Sequence, residues 1–195
     1  MTAMKSTEVA AFLKGHVVPL ADTIYGPRYR AAATLTDGTF LPCVVFQSQQ
    51  RQVNLALKRF AETSARSERE YRGVVESFVA SGSRLAAWSI KSVELSPFAW
   101  DVDLLRTIEG ETTMGWTAFV AEMRDGKMFS MGTTFSYEFF DLPSGYAPKD
   151  IKTIHSGMVY SESGGLKPFS LDSMQSLTVF REKPFFTCYI DGLDA

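Results

Sequence analysis

The stretch Trp116–Phe140, WTAFVAEMRDGKMFSMGTTFSYEFF, decides the fold. Asp125-Gly126 is a turn pair that accepts the positive φ angles of a type I′ turn. The residues after the turn alternate between a largely apolar face and a polar or small face. The two faces carry, respectively, Phe129, Met131, Thr133, Phe135, Tyr137 and Phe139, and Ser130, Gly132, Thr134, Ser136 and Glu138. The pattern predicts a β-hairpin over about 115–140.

The pairing within this hairpin follows from a two-residue turn. It places Trp116, Ala118 and Val120 opposite Phe135, Thr133 and Met131. On the other face it sets Phe119 across from Gly132, where an aromatic ring covers the glycine backbone. In this register Trp116, Phe135 and Tyr137 share one face, which predicts the wall of an aromatic-lined cavity.

Two further hairpins are predicted. In the first, over about 28–47, Asp37-Gly38 forms the turn and Ala33 lies opposite Pro42. Because proline has no N–H to donate to a second neighbour, the strand around residues 39–46 is expected to be an edge, at least at Pro42. The second covers about 175–190, with a turn at Glu182-Lys183, and its apolar residues fall on both faces.

Helical periodicity appears in two places. Residues 7–17 predict an amphipathic N-terminal helix. Residues 50–80 predict a long helix with 4-3 spacing, apolar at both ends and polar in the middle, so that one helix or two joined near residues 63–67 fit equally. Residues 151–161 fit a strand or a short helix, and a strand is preferred.

Together these elements predict one α+β domain over residues 1–195. Its curved antiparallel sheet, built from the hairpins at about 28–47, 115–140 and 175–190, would pack on the long helix of about 50–80 and the N-terminal helix. The 45% apolar share is enough for a sizeable core. In element order alone the chain resembles NTF2-like and cystatin-like domains, a resemblance that implies a sheet curved around a helix.

Composition limits the possible partners and locations. A net charge of −2 argues against a nucleic-acid-binding protein, and no apolar run is long enough to span a bilayer. The N-terminus lacks the apolar core of a secretory signal. Cys43 and Cys188 lie in separate predicted strands and are interpreted as buried free thiols, which are typical of cytoplasmic proteins. Asn54 is not in a glycosylation sequon. A cytoplasmic location is expected.

Chemical motifs are sparse. The sequence has no nucleophile elbow, zinc-ligand spacing, phosphate loop or dinucleotide fingerprint, so no metal and no cofactor is predicted. The pair Asp101 and Asp103 is interpreted as a solvated helix surface. His155 is the candidate general base, although it needs a carboxylate other than Asp150, which would face the opposite side of the strand.

Three functions remain open. The preferred one is a non-catalytic binding module for a small apolar ligand or a protein partner. Its pocket would be lined by Trp116, Phe135 and Tyr137, with Tyr160 and His155 as polar groups. The first alternative is a small hydrolase or isomerase that uses His155 as general base in an aromatic-lined cavity. The second alternative is a homo-oligomeric assembly subunit, in the simplest case a homodimer.

Overall fold

The computed structural model describes residues 2–22, 24–63, 84–134, 136–174 and 177–194. Of the residues that the structure describes, about 23% are helical and 38% are in strands, arranged in mixed sheets, which confirms the α+β class. The chain divides into two compact units, Met1–Ser96 with Phe185–Ala195, and Pro97–Pro184. The single domain expected over residues 1–195 stays a prediction.

The first unit combines helices with a five-stranded sheet. Its elements in chain order are α1 Ser6–His16, β1 Tyr29–Leu35, β2 Phe40–Ser48, α2 Gln49–Thr63, β3 Arg84–Leu85, β4 Ile90–Leu95 and β11 Phe186–Ile190. The strand order is β3-β11-β2-β1-β4. Strands β1, β2 and β4 pair antiparallel, whereas β11 runs parallel to both β2 and β3.

The β1–β2 hairpin confirms the prediction for about 28–47, and its register changes part-way along. Tyr29 lies opposite Phe46 as predicted, but Ala33 lies opposite Leu41 and not opposite Pro42. The register shift takes Pro42 out of the ladder, where its missing N–H costs no hydrogen bond.

The position of β2 in the sheet only partly matches the predicted edge. β11 pairs with Val44 through Ser48, so this part of β2 is interior and the edge prediction is wrong there. Pro42 lies outside the segment that β11 pairs, so a missing donor on that side is tolerated. The Pro42 carbonyl accepts a hydrogen bond from Ser96 Oγ at 2.6 Å.

The N-terminal helix is confirmed and packs on one face of the five-stranded sheet. Val9, Ala10 and Leu13 of α1 are buried, as expected for the apolar stripe of an amphipathic helix. They join a core that draws on every long strand of this sheet: Tyr29, Ala31, Ala33, Val44, Phe46, Ile90, Val93, Cys188, Ile190 and Leu193.

Helix α2 begins where the long predicted helix should begin. Ser48 precedes its first residue and accepts a hydrogen bond from Arg51 N at 3.0 Å, which caps the helix. α2 is described as far as Thr63. Residues 64–80 of the predicted helix of about 50–80 lie outside the described residues, so its length, and whether it is one helix or two, stay predictions.

The second unit contains a four-stranded sheet and a small two-stranded one. Its elements are α3 Val102–Leu105, β5 Thr117–Met123, β6 Met128–Thr133, β7 Ile151–Ser156, β8 Met158–Ser161, β9 Gly165–Pro168, α4 Leu171–Met174 and β10 Phe180–Arg181. The larger sheet has the order β10-β6-β5-β7, and β8 pairs with β9. β7 and β8 confirm the preference for strand over residues 151–161.

The β5–β6 hairpin confirms the part of the prediction for about 115–140 that ends at Thr133, and its register differs by one residue. Met123 N donates to Lys127 O at 2.8 Å, and among the described turn residues only Gly126 has a positive φ, of 87°. The loop therefore has three residues, not two, which is a turn with a glycine bulge. Phe119 lies opposite Met131, and Ala118 lies opposite Gly132.

The hairpin predicted over about 175–190 is wrong, and so is the single antiparallel sheet. β10 joins β6 in parallel, whereas β11 joins β2 in parallel in the other sheet. Pro184 stands between them and has no N–H for a hairpin ladder. The apolar residues on both faces of β11 fit its interior position between β3 and β2.

Within the described residues, no helix has both the length and the apolar character needed to cross a membrane.

Candidate functional site

Strand β5 separates two faces of the four-stranded sheet. Side chains alternate along a strand, so Phe119 and Ala121 point to one face while Ala118, Val120 and Glu122 point to the other. We call the second the indole face, because the Trp116 ring covers Gly132 there. The Phe119 face is core: the rings of Phe119 and Phe140 meet edge to face at 5.3 Å.

Trp116 lies directly on the backbone of β6. A Cβ added at Gly132 would lie 1.9 Å from Trp116 Cζ2, so only glycine leaves room for the indole. The predicted cover of Gly132 by Phe119 is therefore wrong, and Trp116 supplies it, because the longer turn shifts the register. The guanidinium carbon of Arg181 lies 4.7 Å from the centre of the indole, within the range of a cation–π contact.

An apolar cluster surrounds this indole on the indole face. Trp116, Ala118 and Val159 are buried in it. Four more apolar side chains pack against them while remaining only partly buried: Phe169, Met174, Leu177 and Val179. We call these seven residues the Trp116 cluster. Four of its seven members are only partly buried, a larger share than the seven of twenty in the apolar core of the first unit.

Two exposed apolar side chains flank the Trp116 cluster in the chain. Met114 is 96% exposed, in a turn closed by hydrogen bonds between Thr113 and Trp116. Leu171 is 66% exposed at the start of α4, the helix that brings Met174 into the cluster. Both are close to cluster members in the sequence, since Met114 precedes Trp116 by two residues and Leu171 stands between Phe169 and Met174.

The other predicted lining residues are not all brought to this cluster. Tyr137 donates its hydroxyl hydrogen to Thr117 Oγ1 at 3.0 Å, and Thr117 points to the Phe119 face. Phe135 lies outside the described residues. The Tyr137 hydroxyl therefore lies on the face opposite to Trp116. Tyr137 stands beyond the end of β6 at Thr133, where hydrogen bonds between Thr133 Oγ1 and Ser136 turn the chain, so the alternation of the strand does not reach it.

His155 has the carboxylate partner that a general base requires. It lies on β7 opposite Val120, on the indole face, and its Nε2 is 2.9 Å from Glu122 Oε2. Lys152 Nζ donates to the other carboxylate oxygen at 2.6 Å. The hydrogen bond from Lys152 lowers the pKa of Glu122 most, and the hydrogen bond from His155 lowers it further.

The ionised Glu122 decides which nitrogen of His155 is free. A carboxylate only accepts hydrogen bonds, so Nε2 carries the hydrogen and Nδ1 is the acceptor of the neutral ring. Among the residues that the structure describes, Nδ1 has no hydrogen-bond partner. His155 is half-buried, with 29% of its side chain exposed.

Tyr160 lies over the same face through its backbone. Ser130 Oγ donates to the Tyr160 carbonyl and accepts from the Tyr160 N–H, both at 2.9 Å. Ser130 and His155 flank Val120 on neighbouring strands, about 9.5 Å apart at strand spacing. Glu122 is four residues along β5 from Ala118, or about 13 Å. The Trp116 cluster and the His155–Glu122 pair are thus separate groups on one face.

Sequence reasoning missed Arg181 and Glu122 as site residues. The sequence predicts Arg181 in the hairpin of about 175–190, and its parallel pairing with Gly132 carries no local signal. Glu122 stands at a position of β5 that points to the same face as Trp116 in either register, which was the available clue. Its partner depends on β7, a strand reached only after a long connection.

Comparison with known proteins adds no relative: no family model, no curated protein and no solved structure matches this chain. Within the described part of the chain, no group of three or more histidine, cysteine, aspartate or glutamate side chains is arranged to hold a metal ion. Asp101, which the sequence places on a solvated helix surface, accepts a hydrogen bond from Asp103 N and caps α3. The geometry of the indole face therefore carries the functional argument.

Proposed function

We propose that this protein is a binding module for a small apolar ligand and that the ligand occupies the Trp116 cluster. The observation that carries the proposal is the partial exposure of Phe169, Met174, Leu177 and Val179 around a fixed indole. When a ligand covers apolar side chains that are in contact with water, the free energy of the complex falls by about 25 cal/mol per Å² of apolar surface buried.

The fixed position of Trp116 supports the same proposal. The indole lies against Gly132 and under Arg181, so it needs little ordering when a ligand arrives. A preorganised surface loses less entropy on binding than a mobile one.

The test compares two matched surface substitutions. Leu171→Lys places a charge beside the Trp116 cluster, and Leu57→Lys makes the same change on α2, where the leucine is 60% exposed against 66% at Leu171. Binding of the neutral dye Nile red is measured by fluorescence titration. The proposal requires Leu171→Lys to weaken binding about tenfold or more, the loss of one buried leucine, and Leu57→Lys to leave it unchanged. Equal affinities of the two variants would refute it.

A second candidate, acid–base catalysis, is favoured by the His155–Glu122 contact. Glu122 would hold the ring through Nε2, and Nδ1 would take a proton from a water molecule or from a carbon acid of the substrate. The reaction class would be hydrolysis or isomerisation.

The two histidines of the chain provide the control for this candidate. Hydrolysis of p-nitrophenyl acetate is compared for wild type, His155→Gln, Glu122→Gln and His16→Gln. His16 is exposed and its Nδ1 lies 2.9 Å from the Phe12 carbonyl, so it reports the reactivity of a histidine without a carboxylate. The candidate requires both substitutions of the pair to lower the rate and His16→Gln to leave it unchanged. An unaltered rate in His155→Gln would exclude it. A protein partner and a homodimer stay predictions.

A further inference from the structure

Arg181 is a cation fixed at the border of the Trp116 cluster. It pairs with Gly132 from the edge strand β10, and its guanidinium lies over the Trp116 ring. The side chain is 56% exposed, so the charge stays in contact with solvent while its stem covers apolar surface. An apolar surface and a positive charge therefore meet at one place on the indole face.

The acidic neighbour of Arg181 does not use its full hydrogen-bonding capacity. Glu182 Oε2 lies 3.7 Å from Arg181 Nε, which is an ion pair at long distance. The other oxygen of this carboxylate, Glu182 Oε1, accepts hydrogen bonds from Thr134 N at 3.2 Å and from Thr134 Oγ1 at 2.8 Å. These bonds hold the Glu182 carboxylate against Thr134. Within the described residues, Nη1 and Nη2 of Arg181 have no hydrogen-bond partner.

These two nitrogens have the geometry that recognises an anion. A guanidinium presents parallel N–H groups at the spacing of the two oxygens of a carboxylate. The nearby cation Lys183 is differently placed, since it lies 3.0 Å from Asp141 Oδ2 and 4.3 Å from the centre of the Phe98 ring. Arg181 is thus the basic group whose position over Trp116 lets one ligand contact both charge and apolar surface.

We propose that the ligand is an amphipathic anion, with an apolar chain on the Trp116 cluster and a carboxylate on Nη1 and Nη2 of Arg181. This inference rests on the proposed function, because it assigns a ligand class to the same cluster. The contact with the indole keeps the guanidinium in place and so lowers the entropy lost when the carboxylate binds.

The experiment uses decanoate, decanol and decyltrimethylammonium as probes with the full chain, at concentrations below micelle formation. These probes share a ten-carbon chain and carry a negative, a neutral and a positive head group. Affinities are measured by isothermal titration calorimetry for wild type, Arg181→Gln and Arg181→Lys. Arg106→Gln is the matched control, because Arg106 is 64% exposed and ion-paired to Asp103 at 2.7 Å. Thermal unfolding verifies that each variant is folded.

Wild type should bind decanoate about tenfold more tightly than decanol, the effect expected of a charge-assisted hydrogen-bonded pair, and should bind decyltrimethylammonium most weakly. Arg181→Gln should remove the preference for decanoate while the decanol affinity remains. Arg181→Lys should keep part of the preference, and Arg106→Gln all of it.

Three outcomes would overturn the inference. Equal binding of decanoate and decanol to wild type would reject the anion and leave the apolar site standing. Loss of the preference in Arg106→Gln as well would show that the preference depends on the overall charge of the protein and not on Arg181. Equal weakening of both ligands in Arg181→Gln, with the preference intact, would make Arg181 a packing residue. Binding of none of the three probes would reject the proposed function itself.

Discussion

The contact between Trp116 and Gly132 makes Gly132→Ala an unusual glycine substitution. Gly132 lies in β6 and its φ is not in the left-handed region, so alanine suits the backbone. Replacing a glycine in such a conformation ordinarily stabilises a protein by about 0.4–1 kcal/mol, because the unfolded chain loses freedom. Here the added methyl would stand 1.9 Å from Trp116 Cζ2, and the sign should reverse.

The size of the effect follows from the displaced indole. Ordinary contact begins near 3.4 Å, so the ring must move by about 1.5 Å or swing out of its place. Trp116 is only 8% exposed. Exposing half of an aromatic side chain of about 200 Å² costs about 2.5 kcal/mol at 25 cal/mol per Å². After the gain from the unfolded state, Gly132→Ala should destabilise the protein by about 1.5–2 kcal/mol.

The assay is urea unfolding followed by circular dichroism. Gly15→Ala is the matched control, because Gly15 lies in α1 and no heavy atom is within 4 Å of the added Cβ. This substitution should stabilise the protein by about 0.5–1 kcal/mol. In a Trp116→Leu background, Gly132→Ala should cost little or become stabilising, which gives a coupling free energy between the two sites. A stabilising Gly132→Ala, or a cost that persists without the indole, would refute the reasoning.

Three further predictions concern charge, thiol reactivity and capping. Hydrogen bonds lower the pKa of Glu122, so the contribution of Glu122 to stability should be present above its unfolded pKa and be lost as the pH falls through its folded pKa. The melting temperatures of wild type and Glu122→Gln should therefore converge in acid. A difference that stays constant with pH would contradict this. Burial raises the pKa of Cys188 to about 12, and Cys43 is buried too, so at neutral pH neither thiol should react with Ellman's reagent until denaturant is added; rapid labelling of the native protein would disagree. Ser48→Ala removes both the cap of α2 and a donor to Asp194, and should lower the free energy of unfolding by about 1–3 kcal/mol in urea titrations, whereas a loss near zero would mean that the cap is dispensable.

Much of the strand and turn structure could be read from the chain because it depends on neighbouring residues. Asp37-Gly38 and Asp125-Gly126 both lie in hairpin turns, and alternation identified the strands on either side. Turn chemistry and the two-residue period act within a few positions of each other. The same local pattern left the loop one residue too short at both turns, since Asp-Gly suits a two-residue turn and a three-residue loop alike.

The candidate site was only partly predictable, for the same reason. His155 and Trp116 were identified, and His155 was expected to need a carboxylate from elsewhere. Glu122 as that carboxylate and Arg181 as the cation over Trp116 depend on which strands become neighbours. No local pattern encodes the pairing of strands far apart in the chain, because the free energy of the whole sheet selects it.

By itself, then, the sequence determined the α+β class, the N-terminal helix and the two Asp-Gly hairpins, all of which follow from turn residues and periodicity. Only the tertiary structure decided that the last two strands enter different sheets in parallel, and that Trp116 and not Phe119 covers Gly132. The first depends on long-range pairing. The second depends on a one-residue register, which in a strand reverses the face of every side chain.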